Sequence, residues 1–349
     1  MSRTALGVLV VMLGCSAADE GSGGGGRTPR GGSGSSGSGT ATGGSGASGS
    51  FGNAKPSADA GPGSGEPPVP VGAGCDKVDF LFVIDNSPSM EDQQAALIAS
   101  FPGFIGAIQD TLTADSDYHI MVVDTDAATR CQVSGGCAAE PPTRCMDPAG
   151  GYACTATYDA CDSTLGAGVI QPTGEFASNQ ACAITGGKRY IVEGEANIPA
   201  TFGCIAQVGT TGDNAEKPMD ALLAALSATL EGPGGCNEGF LRDDAILVVT
   251  FISDDPKYED TGTPQNWYDA VVAAKNGDPE SVVVIGITPY WPGCRDDVPM
   301  EIRGMHWADF VMLFPRSVHG SVCDLDYSPL FAQAISEIDG ACDTFVPPI

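Results

Sequence analysis

The sequence predicts an α/β fold built on a mostly parallel, doubly wound sheet, and three observations predict it. Apolar runs of strand length occur at 80–84, 119–124, 245–252 and 281–287. They are too continuous for strands with one wet face and read as strands buried on both sides. Between and after them lie segments whose apolar residues recur at helical spacing. Strand and helix then alternate along the chain, the order that builds parallel sheets.

The first strand runs directly into Asp85-Asn86-Ser87-Pro88-Ser89-Met90. Polar residues therefore sit where a buried strand leaves the sheet at its carboxyl end, the edge at which open α/β sheets bind ligands. One carboxylate and two hydroxyls at alternate positions offer hard oxygen ligands, suited to Mg²⁺ or Mn²⁺. The plainer reading is that Ser87 or Ser89 caps the following helix. That helix, from 90 to about 111, places Leu97, Phe101, Phe104 and Ile108 on one face. Pro102-Gly103 predicts a kink or split within it.

The second strand is 119–124. A helix over 218–230 starts on proline and aligns Met219, Leu222, Leu223, Leu226 and Leu230. The third strand is 245–252, followed by a helix at 267–275 and a fourth strand at 281–287. Further helices are expected at 301–314 and 330–338. Residues 126–205 break the alternation. They hold Cys131, Cys137, Cys145, Cys154, Cys161, Cys182 and Cys204 among Gly, Pro and Thr, with little periodicity. This reads as a Cys-rich, disulfide-held loop insertion. The cysteines in it are odd in number, so at least one pairs outside it or stays free. Within it, 189–192 is a candidate short edge strand.

The 349 residues carry a formal net charge of −28. No basic patch stands out, which excludes nucleic acid as a partner bound through a basic surface. Thirteen cysteines without a single Cys-x-x-Cys argue for an oxidising compartment and against zinc ribbons and thioredoxin-like sites. The start of the chain agrees. Arg3 precedes a short apolar run, 5–14, that ends at Cys15. The run is too short to span a bilayer and reads as a signal peptide, 1–14. Met12-Leu13-Gly14-Cys15 resembles the lipobox of bacterial lipoproteins, with methionine where leucine is usual. That resemblance makes Cys15 the lipidated residue and leaves an even number of cysteines to pair. By resemblance to enterobacterial lipoprotein sorting, Ser16 in place of aspartate implies the outer membrane of the cell envelope. Residues 15–74 are rich in Gly, Ser, Thr, Ala and Pro and read as a flexible tether. The folded domain is expected over 75–349.

The Asp-x-Ser-x-Ser after the first strand of such a sheet resembles the von Willebrand factor A family, whose fold is Rossmann-like. Its metal-ion-dependent adhesion site is built from three loops. Asp85, Ser87 and Ser89 match the first element. Gly209-Thr210-Thr211-Gly212, ahead of a helix, offers the second, with Thr210 favoured over Thr211. Ile252-Ser253-Asp254-Asp255 offers the third, with Asp254 favoured over Asp255. The resemblance implies a Mg²⁺ or Mn²⁺ ion, with Ca²⁺ as an alternative, held by Asp85, Ser87, Ser89, Thr210 and Asp254. It implies binding rather than chemistry: a protein or extracellular-matrix ligand would complete the metal shell with an acidic side chain. The insertion stretches the spacing between the first two elements, so it either presents the metal face or covers it.

Other sites are poorly supported. The acidic run 254–260 lacks the spacing and central glycine of an EF-hand. The three histidines are not paired at ligand spacing. His119 is expected in the core, His306 in a helix and His319 in a loop. No Gly-x-Ser-x-Gly elbow occurs in the globular part. Trp267, Trp291 and Tyr290 are packing residues or line the strand ends. The function expected is that of an envelope lipoprotein that binds a ligand through a divalent metal. The alternatives are a metal-dependent hydrolase, or a structural envelope protein whose metal site does not work.

Overall fold

The computed structural model describes residues 75–111, 117–126, 156–256 and 259–348. The signal segment, Cys15, the tether and the 127–155 part of the insertion lie outside the described residues. Five parallel strands form one sheet in the order β2-β1-β3-β4-β5. They are β1 Lys77–Ile84, β2 Asp117–Asp124, β3 Ile246–Ile252, β4 Val282–Thr288 and β5 Ser317–Ser321. The first four are the four apolar runs of the sequence, and from their second residue on every position is buried.

The helices are α1 Glu91–Thr111, α2 Ile198–Ala206, α3 Pro218–Ala225, α4 Ala228–Glu231, α5 Pro264–Ala274, α6 Met305–Val311 and α7 Ser328–Thr344. They cover both faces of the sheet. The two-residue period of the strands separates the faces. Phe80, Phe82, Ile120, Val122 and Ile285 pack with Leu97, Phe101 and Phe104 of α1, Phe202 of α2 and Phe331 of α7. Leu81, Val83, Met121, Val249 and Phe251 pack with Met219 and Leu222 of α3, Trp267 of α5 and Phe310 of α6. The first core is stiffened by rings: Phe101 stacks on Phe202 with centroids 3.6 Å apart, and Phe82 meets both edge-on.

Several elements differ from expectation. α1 runs unbroken through Pro102. Pro102 and Gly103 are both exposed, so the hydrogen bond that proline removes lies on the wet side of the helix, while Phe101 and Phe104 anchor the other side. The helix expected over 218–230 is two helices, α3 and α4. The Ser227 hydroxyl accepts the Leu230 amide and starts the second one. The apolar stripe survives the break because Leu226 and Leu230 are still buried. The 301–314 helix is delayed to Met305, since Gly304 takes a left-handed conformation at φ 67°. β5 was not legible in the sequence, and it places His319 in a strand rather than a loop.

The described part of the insertion contains α2, and two of its other segments, at Val169 and Ile191, bond to the β2 edge. Ile191 makes a single antiparallel bridge to Ile120, not a strand, and the Val169 amide donates to Val122 O at 2.8 Å. Covering an edge in this way blocks further strand pairing. Cys182–Cys204 closes within the insertion. Cys161–Cys236 leaves it, one of the two outcomes that the odd count allows. Cys75–Cys342 and Cys294–Cys323 staple the rest.

Candidate metal centre

The register of the sheet assembles the site. β1 pairs β3 with Ile84 opposite Ile252, so the next residues, Asp85 and Ser253, leave the sheet side by side. The winding direction reverses between these two strands, β2 lying to one side and β4-β5 to the other. A crevice opens at the carboxyl ends of strands at such a reversal. The Ser253 hydroxyl donates to Asp85 Oδ2 at 2.6 Å, and the Ser87 amide donates to Asp85 Oδ1 at 2.7 Å. The Ser89 hydroxyl donates to Asp254 Oδ1 at 2.8 Å. Ser87 and Ser89 hydroxyls lie 3.4 Å apart, too long for a strong bond. Four of the five expected residues are thus drawn into one cluster. The Asp255 amide turns instead to Ser253 Oγ at 3.2 Å.

Thr210 is brought alongside but joins differently. Its amide donates to Glu175 O at 2.9 Å, and its hydroxyl sits 3.4 Å from the same carbonyl, a loose contact. Its loop is held against the β1 loop by backbone. The Gly212 amide donates to Asn86 O at 2.8 Å. A Cβ on Gly212 would lie 2.2 Å from Asn86 Oδ1, so only glycine permits this approach. Thr211 is also buried, packed against Gly174 of the insertion.

Three participants were missed in the sequence. Gln94 of α1 is buried and clamps the two loops. Its Nε2 donates to Asp85 O at 3.0 Å and Gly209 O at 2.8 Å, and its Oε1 accepts the Gly209 amide at 3.1 Å. Its signal was present: it lies three residues before Leu97, a polar residue on the apolar stripe. Ser253 was visible only as a neighbour of Asp254. Glu216 is fully buried; its Oε2 accepts the Thr125 hydroxyl, and its Oε1 has no hydrogen-bond partner. The Thr125 hydroxyl also lies 3.2 Å from Asn86 Oδ1, tying Glu216 to the β1 loop.

The electrostatics are one-sided. Burial, reinforced by Asp254, pushes the Asp85 carboxyl up to about 7. Burial and then the charge of Asp85 push Glu216 up to about 10. Burial also raises Asp254, opposed by the Ser89 bond and by Arg295. Among the described residues no Lys or Arg side chain bonds to these three carboxyl groups. Arg295 gives its guanidinium to the Asp254 backbone carbonyl at 3.2 Å. Buried carboxyls facing one another are costly to ionise, and a bound cation reverses that. The donors are all oxygen, which fits a hard divalent ion and not a thiophilic one. The orphaned Glu216 oxygen fits the same demand. No group of three or more His, Cys, Asp or Glu side chains able to hold a metal occurs among the described residues. The present cluster is made largely of hydroxyls. Ser89 is its exposed member; Asp85, Ser87, Thr210 and Asp254 are buried.

No protein-family model matches the chain, and no curated protein does either. Among solved structures, proximal thread matrix protein 1 from the mussel byssus is similar at a TM-score of 0.33 and 12% identity. The match covers 76% of this chain and 49% of that protein, so the chain spans about half of its length. A likeness of that size leaves function to be argued from the site itself.

Proposed function

We propose that the chain is a lipid-anchored cell-envelope protein with a doubly wound, von Willebrand factor A-like domain. That domain binds a protein or matrix ligand through a divalent cation. Asp85, Ser87, Ser89, Thr210 and Asp254 would hold the ion, with Mg²⁺ or Mn²⁺ favoured over Ca²⁺ by the hydroxyl-rich oxygen set. The ion supplies an electrophilic centre that a partner's carboxylate can complete. The chain's own part is to orient the ligands. Ser253 and the Ser87 amide fix Asp85, Gln94 fixes the Thr210 loop, and Ser89 gives access from solvent. Cys15 would carry the lipid and 15–74 would display the domain. The observation that carries the proposal is that the Ser89–Asp254 and Ser253–Asp85 hydrogen bonds lie on neighbouring loops where the winding of the sheet reverses.

A hydrolase is less well supported, because a general base must reach water and Asp85 and Glu216 are fully buried. Enclosure of four of the five ligands favours the other alternative, a structural domain with a silent site. One experiment separates the readings: calorimetric titration of Mg²⁺ into the wild type and into Asp85→Ala, with a pull-down from cell envelopes with and without EDTA. Saturable heat in the wild type alone, and an EDTA-sensitive partner, support binding. Equal heats from both proteins would sink it.

A further inference from the structure

The exits of β4 and β5 carry a second combination of residues that the metal site does not use. After β4 come Pro289-Tyr290-Trp291-Pro292-Gly293-Cys294, and after β5 come Val322-Cys323-Asp324-Leu325-Asp326-Tyr327. Aromatic rings leave one strand and carboxylates leave its neighbour. Between them is a cavity of about 500 Å³, a volume typical of small-ligand pockets. Trp291, His319 and Tyr327 line it together with Asp324 and Asp326, and among the described residues no lysine or arginine does.

Each wall has a defined state. The His319 Nε2 lies 2.7 Å from Thr288 Oγ1, and its ring centroid is 5.2 Å from Trp291 and 5.9 Å from Tyr290. Burial pushes its pKa down to about 4, so near neutral pH it offers a ring and not a charge. Asp326 accepts the Ser328 amide at 3.0 Å, and its bonds with Ser328 lower its pKa, so it stays an anion. Arg295, the basic residue nearest in sequence to Trp291, is turned away to Asp254 O and Asp297. Cys294–Cys323 joins the two loops and fixes one wall against the other, which reduces the ordering cost of binding.

We propose that this cavity binds a guanidinium group, stacked on Trp291 and paired with Asp324 and Asp326. A planar cation satisfies an aromatic face and two carboxylates at once, which neither an anion nor a neutral ligand does. The site does not depend on the metal reading.

The test uses intrinsic fluorescence. Of the three tryptophans, Trp267 and Trp307 are 0% exposed and Trp291 is 37% exposed, so emission changes on titration report the cavity. The probes are N-acetyl-arginine amide, an acetylated Gly-Arg-Gly peptide and the citrulline analogues of both, in EDTA. A saturable change with an arginine probe, at least about tenfold tighter than with its citrulline isostere, is expected. A response to the amide alone assigns the site to a small guanidinium compound, and a tighter response to the peptide assigns it to a protein side chain. Calorimetry on Asp324→Asn/Asp326→Asn is expected to show at least about a tenfold loss of affinity. The asparagine at 326 keeps an oxygen for the Ser328 amide, and an unchanged melting temperature checks the fold. Asp85→Ala is expected to bind the probes as the wild type does. Equal binding of arginine and citrulline, no response by about 10 mM, or loss of the response in Asp85→Ala would overturn the proposal.

Discussion

Gln94→Leu is the substitution that best tests how the site is held. Leucine keeps the volume and the apolar neighbours of the stripe but removes both donors and the acceptor. Asp85 O, Gly209 O and the Gly209 amide lose the partners they have in the wild type. Each of these three buried backbone groups left unpaired costs ~1–3 kcal/mol, so the sum is ~3–9 kcal/mol before relaxation. That is a large share of the roughly 5–15 kcal/mol by which domains are stable. At ~2–4 °C per kcal/mol for a domain of this size, the melting temperature should fall by ~10 °C. The loss should be visible in EDTA, because it comes from loop-to-loop bonding and not from an ion. Gln94→Glu keeps the acceptor for Gly209, loses both donors and adds a charge beside Asp85, so it should be no milder. The assay is a calorimetric melt of wild type and both variants without metal, followed by Mg²⁺ titration of whatever remains folded. A Gln94→Leu melting temperature within about 2 °C of wild type would refute the clamp.

Two further outcomes follow from the same structure. Cys75–Cys342 closes a span of 267 residues and Cys182–Cys204 one of 22. Replacing each pair by serine should cost ~5 and ~3 kcal/mol respectively in denaturant unfolding, and the reverse order would contradict the loop-closure account. Burial raises Asp79 to about 6 and Glu231 and Asp260 to about 7. The native state therefore holds protons that the unfolded chain has released between the ordinary carboxylate range and those values. Stability is gained at the low end of that window and lost as pH rises through it. His319, lowered to about 4, and His119, also lowered by burial, act in the opposite sense. Metal-free protein should unfold at higher denaturant at pH 5 than at pH 8, and Glu231→Gln should flatten the difference. An unchanged pH slope in that variant would remove Glu231 from the account.

The chain order of apolar runs determined most of the fold. Four of the five strands, the faces of α1 and α3 and the place of α5 follow from burial patterns that any sheet with two covered faces imposes. Asp85, Ser87 and Ser89 stood out because they follow directly on a strand whose end the pattern defines, whereas Asp254 was named only through the resemblance to the von Willebrand factor A site. β5 was not legible, because Ser317-Val318-His319-Gly320-Ser321 is short, polar and at the sheet edge, where burial asks little of its residues. The break between α3 and α4 was hidden because Leu226 and Leu230 stay on the buried stripe across it. What only the tertiary structure decided is which loops meet. The β1–β3 register sets Ser253 against Asp85, and Gln94 and Gly212 bind the Thr210 loop to β1 across more than a hundred residues. Contacts between residues so far apart in the chain leave no period in a sequence. They arise from the pairing of strands that are not consecutive, and pairing is a property of the folded sheet.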